Sequence, residues 1–263
     1  MTPAELERVA VAAASAGAEI ARRRFAERST LAVEVKAFKD YVTEVDREAE
    51  SAIVAVLRER TPAYGIVAEE GSPDAASAGP RWIVDPLDGT TNFIHGVPTF
   101  AVSVGLADEH GLLAGCVVDP CREEVFAAHR GGGARLNGSP MHVSRPEGLE
   151  TALIATGFPF RELSRLPGYL RAFESFCRST SGLRRAGAAS LDLAYTACGR
   201  YDGFFEVGLS PWDVAAGALL VAEAGGVVTD TAGGRTYLAS GSIVAAGGAI
   251  HAAMIEVTRS TLG

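Results

Sequence analysis

The 263-residue chain is long enough for one large domain or two small ones, and its 48% hydrophobic content is ample for a packed core. A net charge of −8 makes it a poor generic partner for nucleic acid, and no run approaches the roughly 20 apolar residues that a membrane span needs. Cys116, Cys121, Cys177 and Cys198 lack paired zinc spacing and read as reduced, mostly buried thiols of a cytoplasmic protein.

The first residues are Ala-rich without the form of a signal peptide. Glu5, Glu7 and Arg8 stand where a basic segment belongs, and Glu19 interrupts the apolar run. Thr2-Pro3-Ala4-Glu5 is a capping box with Pro at the first helical position, so a helix is predicted to about Ala26. Leu31 to Lys36 alternates as a strand does. Thr43 is placed to cap a second helix, Glu44 to Arg60, with Ile53, Val56 and Leu57 inward and Asp46 in its first turn. Position alone makes Asp46 a carboxylate suited to the helix dipole.

Ile66 to Ala68 delivers a strand to Glu69 and Glu70. Trp82 to Val84 delivers another to Asp85, where Pro86 removes a donor and is expected to end strand pairing. Asp88 follows, then Gly89, Thr90 and Thr91 at what could open a helix. Four carboxylates at two strand ends repel one another unless something positive sits among them. Oxygen donors without a His or Cys pair suit Mg²⁺, Mn²⁺ or Ca²⁺ rather than zinc.

Thr99 to Ala107, Leu112 to Asp119 and Glu124 to His129 are strands at short spacing, which implies an antiparallel sheet. Gly131-Gly132-Gly133 has no following Lys-Ser/Thr and reads as a hairpin corner; Asn137-Gly138 marks another tight turn. Beyond Pro146 strands and helices alternate. Strands are predicted at 153–156, 183–186, 203–207, 227–229 and 243–246, and helices at 162–178, 189–198, 211–224 and 249–261. That alternation suggests a layered, partly parallel second half. No linker separates the halves, so residues 1–263 read as one unit with subdomains at roughly 1–146 and 147–263. The histidines, His95, His110, His129, His142 and His251, form no ligand motif and read as structural or surface residues.

Asp85-Pro86-Leu87-Asp88-Gly89-Thr90-Thr91 resembles the first signature of the inositol monophosphatase family, with Glu69-Glu70 where that family has its Glu-Glu pair. Trp212-Asp213-Val214-Ala215-Ala216-Gly217 and Glu223-Ala224-Gly225-Gly226 resemble its second signature. Asp40 to Asp46 resembles a third segment, and the stretches around Asp192 and Glu206 resemble the bacterial branch. Ser210 also has the form of a cap with Asp213 three residues on, which explains Asp213 locally.

The resemblance implies an α+β / α/β fold, a five-layer α-β-α-β-α sandwich, and a Mg²⁺-dependent phosphomonoesterase with two or three ions. It assigns Glu69, Asp85 and the Leu87 carbonyl to one ion and Asp85, Asp88 and Asp213 to another. Glu70 is a neighbour that orients the site. Asp46, paired with Thr90, would position or deprotonate the attacking water with Glu69 as a further catalytic residue. Asp88, Gly89, Thr90, Ala189, Glu206 and Asp213 would contact the substrate, a small phosphate ester, with Glu206 accepting from inositol or sugar hydroxyls. The role of Lys36 is left open. The resemblance further implies lithium sensitivity and a homodimer; neither membrane nor nucleic acid is expected as partner. The rivals are a sibling specificity (fructose 1,6-bisphosphate, histidinol phosphate or a 3′-phosphonucleotide) and a regulatory binding protein on the same fold. Of these, nucleotide-type siblings would favour a basic pocket, for which Arg184 and Arg185 are the nearby candidates.

Overall fold

The computed structural model describes residues 1–27, 33–37, 40–71, 79–160 and 162–262, with the backbone alone for 33–37 and 40–42. Leu31, the Lys36 side chain and the side chains of Asp40 to Val42 therefore lie outside the described residues. Helix α1 (Pro3–Ala26) opens on the reciprocal bonds of its capping box: the Glu5 amide donates to Thr2 Oγ1 and the Thr2 amide to Glu5. Strands β1 (Val33–Ala37) and β2 (Asp40–Thr43) form an antiparallel pair. Thr43 caps α2 (Glu44–Arg60). Gly17 of α1 lies against Ile53 of α2, where an added Cβ would sit 2.7 Å from Ile53 Cδ1.

A seven-stranded sheet follows in spatial order β3 (Gly65–Ala68), β4 (Arg81–Asp88), β5 (Ala101–Asp108), β6 (Gly111–Asp119), β7 (Glu124–His129), β8 (Ala134–Leu136) and β9 (Ser139–Met141). Its first pair is parallel and the remainder antiparallel. The short α3 (Thr90–His95) interrupts it after β4. Pro86 does not end pairing as expected. The ladder shifts register between Asp85 and Asp88 and resumes with Asp88 opposite Ala101. An irregularity at that point lets the strand carry a residue with no N–H to donate. Asn137 and Gly138 both have positive φ and close the β8–β9 turn.

The second sheet has the order β11 (Gly182–Arg184), β10 (Leu153–Thr156), β12 (Gly203–Val207), β14 (Ser242–Gly247), β13 (Gly226–Thr229). Two pairings are parallel and two antiparallel. Helices α4 (Leu166–Ser179), α5 (Ala189–Ala197), α6 (Pro211–Glu223), α7 (Tyr237–Ser240) and α8 (Gly248–Leu262) complete the described α-helices. Helix α4 starts later than predicted because Leu163–Arg165 forms a 3₁₀ turn, with Pro167 then in the first helical turn. The short α7 and the strands β8 and β9 carry too few residues for a readable period.

Alternation along the strands shows how the layers stack. On β6, Cys116 and Val118 face a core made with α1 and α2, whereas Val117 faces α5 and α6. On β12, Phe204 faces that same α5–α6 core, and Phe205 faces α4 and α8. The order is therefore helices, seven-stranded sheet, helices, five-stranded sheet, helices: the five-layer arrangement. Gly105 and Gly115 let α6 approach the first sheet closely. A Cβ on Gly105 would lie 3.0 Å from Ala215 Cβ, and one on Gly115 would lie 3.1 Å from Ala216 Cα. That approach carries Asp213, at the start of α6, to the sheet. Of the cysteines, Cys116 is buried, Cys121 and Cys198 are half-buried, and Cys177 is exposed, so the reading "mostly buried" is corrected. No described helix is long and apolar enough to cross a membrane.

Candidate active site

One cleft is lined by Glu69, Asp85, Leu87, Asp88, Gly89, Thr90, Ala189, Glu206 and Asp213, residues brought together from six elements and their ends. Asp46 reaches it from behind. Its Oδ2 accepts from the Thr43 amide at 2.8 Å and the Thr43 hydroxyl at 2.6 Å, which closes the cap of α2. Its Oδ1 lies 3.1 Å from Thr90 Oγ1, which also lies 3.0 Å from the Leu87 carbonyl. A single hydroxyl proton serves one of these at a time. The Asp46–Thr90 pairing implied by the resemblance is thus present.

One oxygen of each central carboxylate is fixed by the fold. Asp85 Oδ1 accepts from the Leu87 amide at 3.0 Å. Asp88 Oδ2 accepts from the Ser190 amide at 2.7 Å and its hydroxyl at 2.6 Å. Asp213 Oδ2 accepts from the Ser210 amide at 2.7 Å, so the residue that closes the cap of α6 also lines the cleft. Asp85, Asp88 and Asp213 each bring an oxygen within 4.8 Å of the others. Carboxylates so placed suppress one another's ionisation. Burial first, then the charges of Glu69, Asp88 and Asp213, push Asp85 well above the usual carboxylate range. Burial and Asp213 raise Asp88 to about 7 despite the Ser190 bonds. Burial also raises Asp46, against its bonds from Thr43. A hard divalent cation would relieve Asp85 and Asp88, and an all-oxygen donor set fits Mg²⁺.

Glu70 donates its amide to Glu50 Oε2 at 2.9 Å, and its charge bears on Asp46. Arg185 lines the cleft over the rings of Phe158 and Phe160, at 5.5 and 5.2 Å. Arg184 does not line it and donates to the Leu183 carbonyl. His129 bonds to Glu7, and His251 Nε2 lies 3.0 Å from Thr229 Oγ1. Neither lines the cleft.

Sequence reasoning missed four participants. Ser190 holds Asp88, a partner 102 residues away. Asn92 Nδ2 donates to the carbonyls of Thr99 at 2.7 Å and Ala186 at 2.9 Å, which ties α3 to the loop before α5. Phe158 and Phe160 form a wall. None carries a spacing that announces a site. Asp192, noted only as part of a family-like stretch, lies 2% exposed with Oδ1 unpartnered among the described residues.

The inositol monophosphatase family model matches residues 2–262. The chain belongs to the inositol monophosphatase family. The Nus factor SuhB of Pseudomonas aeruginosa is 52% identical over 242 residues, covering 90% of this chain and 89% of that one. The inositol-1-monophosphatase of Mesorhizobium japonicum is 41% identical over 263 residues, covering 100% and 99%. The structure of an inositol monophosphatase from Anabaena superposes with a TM-score of 0.87 at 34% identity, covering 98% of this chain and 96% of that one. Family membership and the inositol monophosphatase fold support a phosphatase that takes a small phosphate ester, and the acidic cluster is where this family member could hold a metal ion.

Proposed function

We propose that this inositol monophosphatase-family protein is a Mg²⁺-dependent phosphomonoesterase that hydrolyses inositol 1-phosphate or a related polyol phosphate by direct attack of water. The observation that carries this reading is the convergence of Asp85, Asp88 and Asp213 within 4.8 Å, beside the Asp46–Thr90 pair. Glu69, Asp85 and the Leu87 carbonyl would hold one ion, and Asp85, Asp88 and Asp213 a second; two or three ions fit the reading. When bound, Mg²⁺ supplies charge neutralisation at the phosphoryl oxygens, a more acidic water and a stabilised leaving oxygen. The chain does the rest. Thr90 Oγ1 orients the attacking water, Asp46 Oδ1 holds or accepts the proton through Thr90, and Glu69 orients the same water. The Gly89 and Thr90 amides face the phosphate. Ala189, Asp88, Asp213 and Glu206 contact the alcohol part, with Glu206 accepting from hydroxyls.

A panel of phosphomonoesters assayed with Mg²⁺ tests the reading. Turnover of inositol 1-phosphate that disappears in excess chelator is the expected result, with inhibition by excess Ca²⁺ and by Li⁺. Full turnover in chelator would overturn the metal assignment. The same panel separates the sibling specificities. We also propose a cytoplasmic homodimer.

A second reading adds a partner-binding role to catalysis. It is supported by the description of the 52% identical relative as a Nus factor. The Asp85→Asn variant separates the two. A deletion phenotype that this variant restores belongs to partner binding; one that it does not restore belongs to the phosphatase.

A further inference from the structure

We infer that Gly157 is a specificity-determining residue, because its missing side chain fixes where Glu206 presents its carboxylate. The inference rests on the proposed role of Glu206. Thr156, the last residue of β10, pairs with Phe205 of β12 in a parallel register, so Gly157, just past the end of β10, comes beside Glu206, which is still within β12. A Cβ built on Gly157 would lie 2.0 Å from both Cδ and Oε1 of Glu206 and 2.2 Å from Oε2. No carbon approaches a carboxylate so closely, so the carboxylate occupies the volume that a side chain at 157 would fill.

Other glycines of the cleft have a different reason to be glycine. Gly89, Gly187 and Gly208 hold φ at +93°, +93° and +84°, which side chains disfavour. Gly157 is not among the positive-φ glycines. Its backbone accepts an alanine, and the three atoms nearest to the added carbon all belong to the Glu206 carboxylate. That carboxylate ends a flexible side chain, so an added methyl displaces it without breaking the fold. Phe158, the next residue, lines the cleft together with Glu206, so the displacement happens at the cleft wall. Acceptors select hydroxyls only when held within about half an ångström of the productive place. Gly157 therefore acts through Glu206 as a positioning residue, and the class it serves is phosphate esters whose alcohol carries further hydroxyls.

The test is a double-mutant cycle. kcat and KM are measured on inositol 1-phosphate and on p-nitrophenyl phosphate for wild type, Gly157→Ala, Glu206→Ala and the double variant, at saturating Mg²⁺. Gly157→Ala is expected to lower kcat/KM on inositol 1-phosphate about tenfold or more, the scale of a lost hydrogen bond to a charged acceptor. The loss should fall mainly on KM, leave p-nitrophenyl phosphate within about twofold, and add nothing in the Glu206→Ala background. An unchanged thermal midpoint and Mg²⁺ requirement would show that fold and cation site are intact. Equal losses on both substrates, additive losses in the double variant, or no loss at all would each overturn the inference while the phosphatase reading stands. Wild type inactive on both esters would sink that reading and the inference together.

Discussion

At Asp85 the proposed bridge and the electrostatics of the bare site make opposite demands. Bridging two ions needs a full negative charge, whereas burial and three neighbouring carboxylates drive a proton onto it. Asp85→Asn keeps the shape and removes the charge. Turnover should fall by roughly 10³-fold, about 4 kcal/mol. The fold should survive, because the change relieves repulsion. Steady-state turnover with a thermal melt checks both halves, and a folded variant with near-normal turnover would remove Asp85 from the bridge. Ser190 is the complementary case. Its hydroxyl and amide are the bonds that hold Asp88 toward the charged form. Ser190→Ala removes the hydroxyl, pushes Asp88 higher still, and should raise the Mg²⁺ needed for half-maximal rate about tenfold. A Mg²⁺ titration that matches wild type would show that Ser190 does not hold the ligand.

Elements were legible in proportion to their local signals. The caps at Thr2 and Thr43 announced α1 and α2 because each is complete within four residues. Glu124–His129 was bounded correctly, its apolar run Val125 to Ala128 being flanked by Glu124 and His129. The β8–β9 hairpin showed only its Asn137-Gly138 turn, since three-residue strands hold no period. The carboxylates Asp85, Asp88 and Asp213 were legible from signature spacing. Ser190 and Gly157 were not, because what they touch is set by packing between elements. The seat of α6 is such a case. Gly105→Val would force side-chain atoms into the backbone of Ala215 and Ala216. Overpacking of this kind costs about 1–3 kcal/mol. Because α6 carries Asp213, Mg²⁺ binding should weaken along with stability. Denaturant melts and a Mg²⁺ titration test the pair of effects. A destabilised variant with unchanged Mg²⁺ affinity would separate the packing of α6 from the placing of Asp213.

For the whole molecule, the acidic cluster ties stability to pH and to the cation. Asp88 titrates at about 7 when folded, against an ordinary value near 3.8. The folded chain therefore binds a proton more tightly than the unfolded chain between those values. Stability from a raised carboxylate is fully present below the unfolded value and is lost as pH rises through the folded one. Asp85, raised in the same direction, adds to the effect. The metal-free protein should thus lose thermal stability steadily from about pH 4 to about pH 7, in the absence of other large titrations. Mg²⁺ binds the ionised carboxylates and competes with the protons, so its stabilisation should be small near pH 5 and large near pH 8. Thermal midpoints with chelator and with Mg²⁺ across that range test the linkage. A Mg²⁺ gain that is the same at every pH would mean that the cation binds away from Asp85 and Asp88. In Asp85→Asn the gain should shrink most at pH 8, where wild type has the most charge to neutralise.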